Sequence, residues 1–143
     1  MKPINNNAPV FNTKTILINA KPVNVWAILT NIDGWNKWLT TVSKSKLNGA
    51  LTANTTFDWK TGGMRIKSKL HIVEPFSNFG WTGKVYDIFA IHNWTIKEVD
   101  GWTEVTVSES MEGFSAKLFK KSFNKSLENG MIKSLELLKQ ACE

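Results

Sequence analysis

Between residues 42 and 111, apolar and polar side chains alternate with a period of two, which is typical of strands with one buried face. The alternation is clearest over 64–72, where cations and a histidine separate the apolar residues. Thr61-Gly62-Gly63 and Asp100-Gly101 are hairpin signals. The segment therefore predicts six consecutive strands in an antiparallel meander.

One further strand and two short helices are expected before the meander. Residues 1–12 are polar and lack periodicity, which predicts a loose tail. The β-branched and apolar run at 13–19 predicts the first strand. Pro22 suits the first turn of a helix. Asp33 is a good N-cap for a second short helix. Its Trp35 and Trp38 are interpreted as anchors to the sheet edge, against a gating role at the cavity mouth.

Helical periodicity returns at 116–141, which predicts one amphipathic helix about 39 Å long. Gly130 lies within this helix, where glycine is unfavourable, so we expect a close approach to the backbone there. The order of elements predicts a single α+β domain over 1–143. Its seven-stranded curved antiparallel sheet would wrap around the long C-terminal helix, with two short helices after strand 1 and a hollow between sheet and helix. The apolar stripe of the helix consists of Phe119, Phe123, Leu127, Met131, Leu135 and Leu138.

The amino-acid composition excludes several classes of protein and several kinds of functional site. Hydrophobic residues make up 42% and charged residues 21%, which excludes disordered and collagen-like chains. Seven Trp and eight Phe imply a large apolar interior or cavity. A single cysteine excludes an internal disulfide, and two histidines with that cysteine do not supply a zinc site. With no phosphate-binding loop and no nucleophile elbow either, we expect no cofactor and no metal.

The net charge of +6 bears on partners and location. Arg65 is the only arginine, so the chain lacks the guanidinium forks that favour nucleic-acid recognition, and we expect no nucleic-acid partner. The first fourteen residues lack the apolar core of a signal peptide, and no apolar stretch is long enough to span a bilayer. These features predict a cytoplasmic protein without stable membrane insertion. A homodimer is left open.

Several short motifs, in order along residues 13–141, resemble the START/Bet v 1-like helix-grip superfamily, and within it the SRPBCC group of polyketide cyclase/dehydrase-like proteins. The motifs are Ile18–Trp26, Asp33–Trp38, Trp81-Thr82-Gly83, His92–Ile96 followed by Gly101–Val107, and Ser134–Lys139. The resemblance implies a helix-grip fold with a hydrophobic cavity. It implies no catalytic residues, because the superfamily has no universal catalytic set.

The candidate ligand-binding residues lie on the inward parity of the strands or on the helix. His92 is interpreted as a polar or acid–base group in the cavity, against a satisfied interior histidine. Glu109 is interpreted as a partner for His92 or for a ligand hydroxyl, against a position moved to the rim by strand twist. The full predicted set is Trp59, Met64, Ile66, Leu70, Trp81, His92, Trp94, Glu109, Phe123, Leu127, Gly130 and Met131.

Three functions remain open at this point. The first is binding of a small hydrophobic or aromatic molecule that resembles a lipid, steroid or polyketide, between the sheet and the C-terminal helix. The second is a polyketide cyclase/dehydrase-like enzyme that uses polar cavity residues. The third is a co-chaperone-activator-like interaction module. In that case the contact would be Lys117, Lys120, Lys121 and Lys125, which oppose the helix dipole and so are not explained by stability.

Overall fold

The computed structural model describes residues 1–143, and one antiparallel sheet organises them. Its seven strands lie in the order β1-β7-β6-β5-β4-β3-β2, so that β2 to β7 form the predicted meander and β1 returns to pair with β7. The strands are β1 (Val10–Ile18), β2 (Val42–Leu47), β3 (Thr56–Thr61), β4 (Met64–Glu74), β5 (Asn78–Val85), β6 (Ile88–Val99) and β7 (Trp102–Glu112).

The helices complete the expected helix-grip architecture. After β1 come α1 (Pro22–Thr30) and a 3-10 helix (Ile32–Lys37), and after β7 come α2 (Phe114–Leu118) and the long α3 (Lys120–Cys142). A seven-stranded curved sheet, a long C-terminal helix and two short helices after β1 confirm the predicted fold class. No helix combines the length and the hydropathy needed to cross a bilayer.

Helix α3 runs along the free edge of β1. The Asn124 side chain accepts the Phe11 N–H at 3.3 Å and donates to the Pro9 carbonyl at 3.0 Å. Near the other end of the helix, Lys139 donates to the Leu17 carbonyl at 3.0 Å. These bonds satisfy backbone groups that an edge strand would otherwise present to other chains. The apolar stripe of α3 packs into the core through its buried residues Leu127, Met131, Leu135 and Leu138.

The predicted single C-terminal helix is broken at Phe119, which has φ −107° and ψ 34°. The two parts are held by different partners. In α2, the N–H and hydroxyl of Ser115 both donate to the Asp87 carboxylate, at 2.7 and 2.8 Å. Asp87 belongs to the β5–β6 turn while α3 is bonded to β1, so the two parts are anchored to different elements of the sheet.

Two local features differ from the sequence-based expectation. Ile72 was expected on the inner face with Leu70, but a bulge in β4 pairs Leu70 with Trp81 and Ile72 with Gly80, which moves Ile72 to the outer face.

Asp33 was expected to cap the second short helix. Its carboxylate instead accepts the Leu47 N–H at 2.7 Å and ties the 3-10 helix to β2.

The N-terminal residues lie on the outer face of the sheet rather than loose in solvent. The Lys2 N–H donates to His71 Nδ1 at 3.2 Å, and Asn93 donates to the Lys2 carbonyl at 2.8 Å. The Asn5 N–H donates to the Ser110 hydroxyl at 3.0 Å. Strand β1 accordingly begins at residue 10, three residues before the expected start.

The His71 ring holds the tail through a defined tautomer. Because Nδ1 accepts from Lys2, Nε2 carries the proton and donates to Asn93 Oδ1, 2.7 Å away. Burial lowers the pKa of His71 below 6.5; the positive charges of the N-terminus and Lys2 act in the same direction, against the hydrogen bond to Asn93. A second proton on Nδ1 would point at the Lys2 N–H.

Acidification is therefore expected to release the tail. The neutral ring contributes its full stabilisation above about pH 6.5, and this is lost as the pH falls through the lower pKa of the folded state. The Lys2 amide resonance should shift together with the His71 ring during an NMR titration. In a His71→Gln variant the Lys2 amide should lose this dependence. A Lys2 amide that ignores the protonation of His71 would contradict the assigned hydrogen bond.

Candidate functional site

The inner face of the sheet, defined here as the face that carries Trp81, His92 and Trp94, holds a cross-strand row of mixed character. Trp81 on β5 pairs with His92 on β6, and His92 pairs with Glu109 on β7. Glu109 in turn pairs with Asn12 on β1. Directly opposed residues on one face lie close enough to interact, so the register itself places an imidazole between an indole and a carboxylate.

His92 and Glu109 form a largely buried ion-pair geometry. His92 Nδ1 lies 3.3 Å from Glu109 Oε2, and their side chains are 16% and 14% exposed. One face of the imidazole stacks on the Trp81 indole, with ring centroids 4.4 Å apart and an angle of 5° between the ring planes. An ionised Glu109 favours the tautomer with the proton on Nδ1, which leaves the Nε2 lone pair free to accept a hydrogen bond. The predicted partnership of His92 and Glu109 is therefore present in the geometry.

Three buried side-chain nitrogens have no hydrogen-bond partner within the protein: His92 Nε2, Trp94 Nε1 and Trp38 Nε1. The first two belong to neighbouring rings, because the His92 and Trp94 ring centroids are 5.6 Å apart. A buried polar group without a partner is costly and needs an explanation. An acceptor and a donor on neighbouring rings can be satisfied by a molecule that carries a hydroxyl and a carbonyl, or by water.

An aromatic cluster lies beside His92, centred on Trp81. Trp81 contacts Trp35, Phe57, Trp59 and Phe79, with ring centroids 5.4 to 6.2 Å apart. Edge-to-face contacts dominate it, which is the favoured geometry for aromatic pairs. The cluster fixes the ring of Trp81, and through the stacking contact it fixes the plane of His92.

The indoles of this cluster are not equivalent. Trp59 Nε1 donates to the Ser68 hydroxyl at 3.0 Å, and Trp35 Nε1 donates to the Leu29 carbonyl at 2.9 Å. These two tryptophans are satisfied structural residues. Trp94 differs from them because its N–H has no partner.

The structure places the predicted ligand-binding residues in three groups. Trp81, His92, Trp94 and Glu109 come together around the unpartnered nitrogens. The second group is packed in or against the core: Leu70, Leu127 and Met131 are buried, and Trp59, Ile66 and Phe123 are partly buried. The third group is exposed: Met64 is 44% exposed at the start of β4, and Gly130 is exposed on α3.

Two of the surface grooves border strands β2 to β5, and neither of these two is lined by α3. One, of about 680 Å³, lies along β2, β3 and β4, and its only apolar lining residues are Trp59 and Ile66. The other, of about 410 Å³, lies by the β3–β4 hairpin and includes Met64, Lys84 and Tyr86. Both are surface features, in contrast to the apolar hollow expected between sheet and helix.

Three polar residues extend the inner-face row and were not predicted. Asn12 donates to the Glu128 carboxylate at 3.3 Å, and Lys14 lies 3.6 Å from the same carboxylate. The row Trp81–His92–Glu109–Asn12 thus continues to a charged residue on α3. Asn12 was assigned to the loose tail, so its strand register could not be used. Glu128 follows Leu127 directly in the sequence. Its position beside the buried stripe of the helix could have indicated that it lies near the sheet.

Alanine at position 130 is expected to stabilise the protein. A Cβ built on Gly130 meets no atom within 4 Å, and the residue is exposed, so the added methyl group costs no space. Alanine is the better helix former by about 1 kcal/mol, which sets the expected gain in the free energy of unfolding. Urea denaturation measures it. An unchanged or lower stability would show that the helix midpoint needs glycine, as the sequence alone suggested.

Solved structures of other proteins share the fold of this chain. The fold is similar to a hypothetical protein, jhp0584, from Helicobacter pylori, with TM-score 0.87 and 18% identity over 100% of this chain and 98% of that one. It is also similar to the di-domain ARO/CYC StfQ of the steffimycin biosynthetic pathway, with TM-score 0.80 and 12% identity over 93% of this chain and 50% of that one. Ara h 8.0201 matches with TM-score 0.74 and 7% identity over 92% and 96%.

These likenesses, at 7% to 18% identity, show the Bet v 1-like helix-grip fold. The family is shown by a match of the sequence itself, which confirms the resemblance to SRPBCC-type polyketide cyclase/dehydrase-like proteins. The family model for polyketide cyclase/dehydrase and lipid transport proteins matches residues 12–143. The chain belongs to that family. No curated protein matches the sequence.

Proposed function

We propose that this protein binds a small hydrophobic molecule that carries polar oxygen atoms, with its polar end at His92 and Trp94. The observation that carries the proposal is the pair of buried, unpartnered nitrogens, His92 Nε2 and Trp94 Nε1. The aromatic cluster around Trp81 would provide the apolar surface. The family's description as cyclase, dehydrase and lipid transport supports a ligand of lipid or polyketide character.

Access to these nitrogens requires side chains to move, because both atoms are inaccessible to solvent in the structure. Met111 is the next inward residue after Glu109 on β7 and is only half-buried. Methionine adapts its shape at low cost, so Met111 is the side chain expected to yield first. In this proposal the ligand then lies between the sheet and α3, beside Phe123.

A binding assay with a matched pair of variants tests the proposal. Flavone, a planar aromatic ketone, and palmitate serve as probes, and quenching of tryptophan fluorescence reports the affinity. His92→Phe keeps a ring beside Trp81 and removes both nitrogens, so it should weaken binding about 5- to 30-fold, the value of one or two hydrogen bonds. Trp102→Phe, at the opposite end of β7, is the control. Equal affinities in the wild type and the His92→Phe variant would contradict the proposed site.

The His92–Glu109 geometry also favours a second candidate, a cyclase or dehydrase activity. A carboxylate at 3.3 Å from Nδ1 would hold the imidazole with Nε2 ready to accept a proton, as a general base requires. StfQ, a di-domain ARO/CYC of the steffimycin biosynthetic pathway, shares the fold, and this supports the candidate by analogy alone.

Glu109→Gln separates the two functions. An enzyme should lose roughly 10²- to 10⁴-fold in turnover of a poly-β-ketone substrate while it keeps most of its affinity, because general acid–base catalysis is worth that factor. A carrier has no turnover to lose and should show a change in affinity only. Product analysis of the substrate after incubation with each protein provides the measurement.

A further inference from the structure

We propose that one end of this protein docks reversibly on an anionic lipid bilayer. The docking surface consists of four apolar residues and four lysines. They are Tyr86, Phe114, Leu118 and Phe119, with Lys117, Lys120, Lys121 and Lys125. Tyr86 is 84% exposed, Phe114 73% and Leu118 61%, and Phe119 is also exposed. Four large apolar side chains that are mostly exposed at one end of a small domain mark an interaction site.

Hydrogen bonds bring these residues to one end of the molecule. Ser115, next to Phe114, is bonded through its N–H and its hydroxyl to Asp87, next to Tyr86. A Cβ on Gly113 would lie 2.2 Å from the Asp87 carbonyl oxygen, so the two backbones are in close contact. The β5–β6 turn and α2 therefore project together. Met64, on the neighbouring hairpin, shares a groove with Tyr86.

The charge of this end is positive and without partners. Lys117, Lys120, Lys121 and Lys125 are exposed, and no acidic residue occurs from residue 114 to 127. Each ion pair of the structure lies elsewhere. The two carboxylates nearby are already bonded, Asp87 to Ser115 and Glu112 to Asn5.

The adjoining strands add cations in an unfavourable arrangement. Lys60 lies directly opposite Arg65. Lys67 lies directly opposite Asp58 on β3 and directly opposite Lys84 on β5. Like charges in directly opposed positions destabilise a sheet. An anionic partner outside the chain would offset the repulsion within the pairs Lys60–Arg65 and Lys67–Lys84.

The chemistry favours a lipid surface over an acidic protein. Aromatic and leucine tips interleaved with lysines are typical of segments that lie in the headgroup region, where apolar side chains enter the interface and ammonium groups meet anionic lipids. The apolar side chains come from two segments, the β5–β6 turn and the α2 segment, and are exposed on both. A protein partner would need complementary pockets for each of them, whereas a bilayer accepts them all. Docking of this kind differs from stable insertion.

Vesicle sedimentation with the full chain tests the proposal without any cargo molecule. Vesicles of phosphatidylcholine with phosphatidylserine should bind the protein, and binding should fall as salt is raised. Each lysine near such a surface contributes about fivefold in affinity, so Lys120→Glu combined with Lys121→Glu should lose roughly 30-fold or more. Lys133→Glu, on the exposed distal part of α3, is the matched control and should keep the wild-type affinity.

A second pair of variants tests the apolar part. Leu118→Ser should weaken vesicle binding, while Ile132→Ser, an exposed aliphatic residue on the same C-terminal segment, should leave it unchanged. No sedimentation with phosphatidylserine vesicles, equal binding to neutral vesicles, or equal losses in the control variants would overturn the proposal. The proposal would also be overturned if the chain bound an acidic protein and this binding required the lysines but not the apolar residues. Because hydrophobic probes are absent, failure here leaves the proposed ligand site unaffected.

Discussion

Replacement of Trp35 by alanine should lower the free energy of unfolding by about 3–5 kcal/mol, the usual cost of removing a fully buried aromatic side chain. Trp35 is 2% exposed and contacts Phe57, Trp59 and Trp81, with ring centroids 5.4 to 5.8 Å away. The substitution also leaves the Leu29 carbonyl without its indole donor, in a buried position. Urea denaturation followed by circular dichroism measures the loss.

The control for Trp35 is an exposed tryptophan in the same chain. Trp102 is 41% exposed, and its main contact is the Lys139 ammonium, 5.5 Å from the ring centroid. Trp102→Ala should cost about 1 kcal/mol or less, because little apolar surface returns to water. Similar losses at the two positions would contradict the placement of Trp35 at the centre of the aromatic cluster.

Leu127→Ala is the second substitution with a large expected effect. Leu127 is buried in the core on α3, so its truncation should cost about 2–5 kcal/mol through lost burial and the cavity that remains. Phe123, one turn earlier, is only partly buried beside the same cluster. Although phenylalanine is the larger residue, Phe123→Ala should cost less than Leu127→Ala.

The comparison of these two helix variants also reports on the proposed ligand site. If Phe123 borders space that a ligand fills, its truncation should alter probe affinity more than stability. Parallel denaturation and fluorescence titrations of the two variants give both quantities. A larger stability loss for Phe123→Ala than for Leu127→Ala would show that Phe123 is a core residue.

The fold was predictable because its signals are local and repeated. Alternation over β2 to β7, the Gly-containing hairpins and the stripe of α3 each specify which side of an element is buried. The pairing of His92 with Glu109 also followed, since both lie on the inward parity of adjacent strands. Sequence periodicity therefore identified the centre of the candidate site.

The remaining features depend on contacts between distant segments. The bulge after Leu70 shifts Ile72 to the outer face, and no local residue pattern marked it. The tail is held by His71 and Asn93, which are far away in sequence. Periodicity likewise could not show that Trp59 Nε1 finds the Ser68 hydroxyl while Trp94 Nε1 finds no partner.

The Trp94 indole resonance provides the most direct test of ligand binding at the inner face. In a ¹H–¹⁵N NMR titration with flavone or palmitate, the Trp94 Nε1–H signal should shift strongly as the N–H gains an acceptor. The Trp35 signal is an internal control because its hydrogen bond is already made, and the exposed Trp102 reports on non-specific contact. Two results would contradict a ligand site at His92 and Trp94. In the first, the probes bind but the Trp94 signal stays in place. In the second, neither probe binds at any concentration that can be reached.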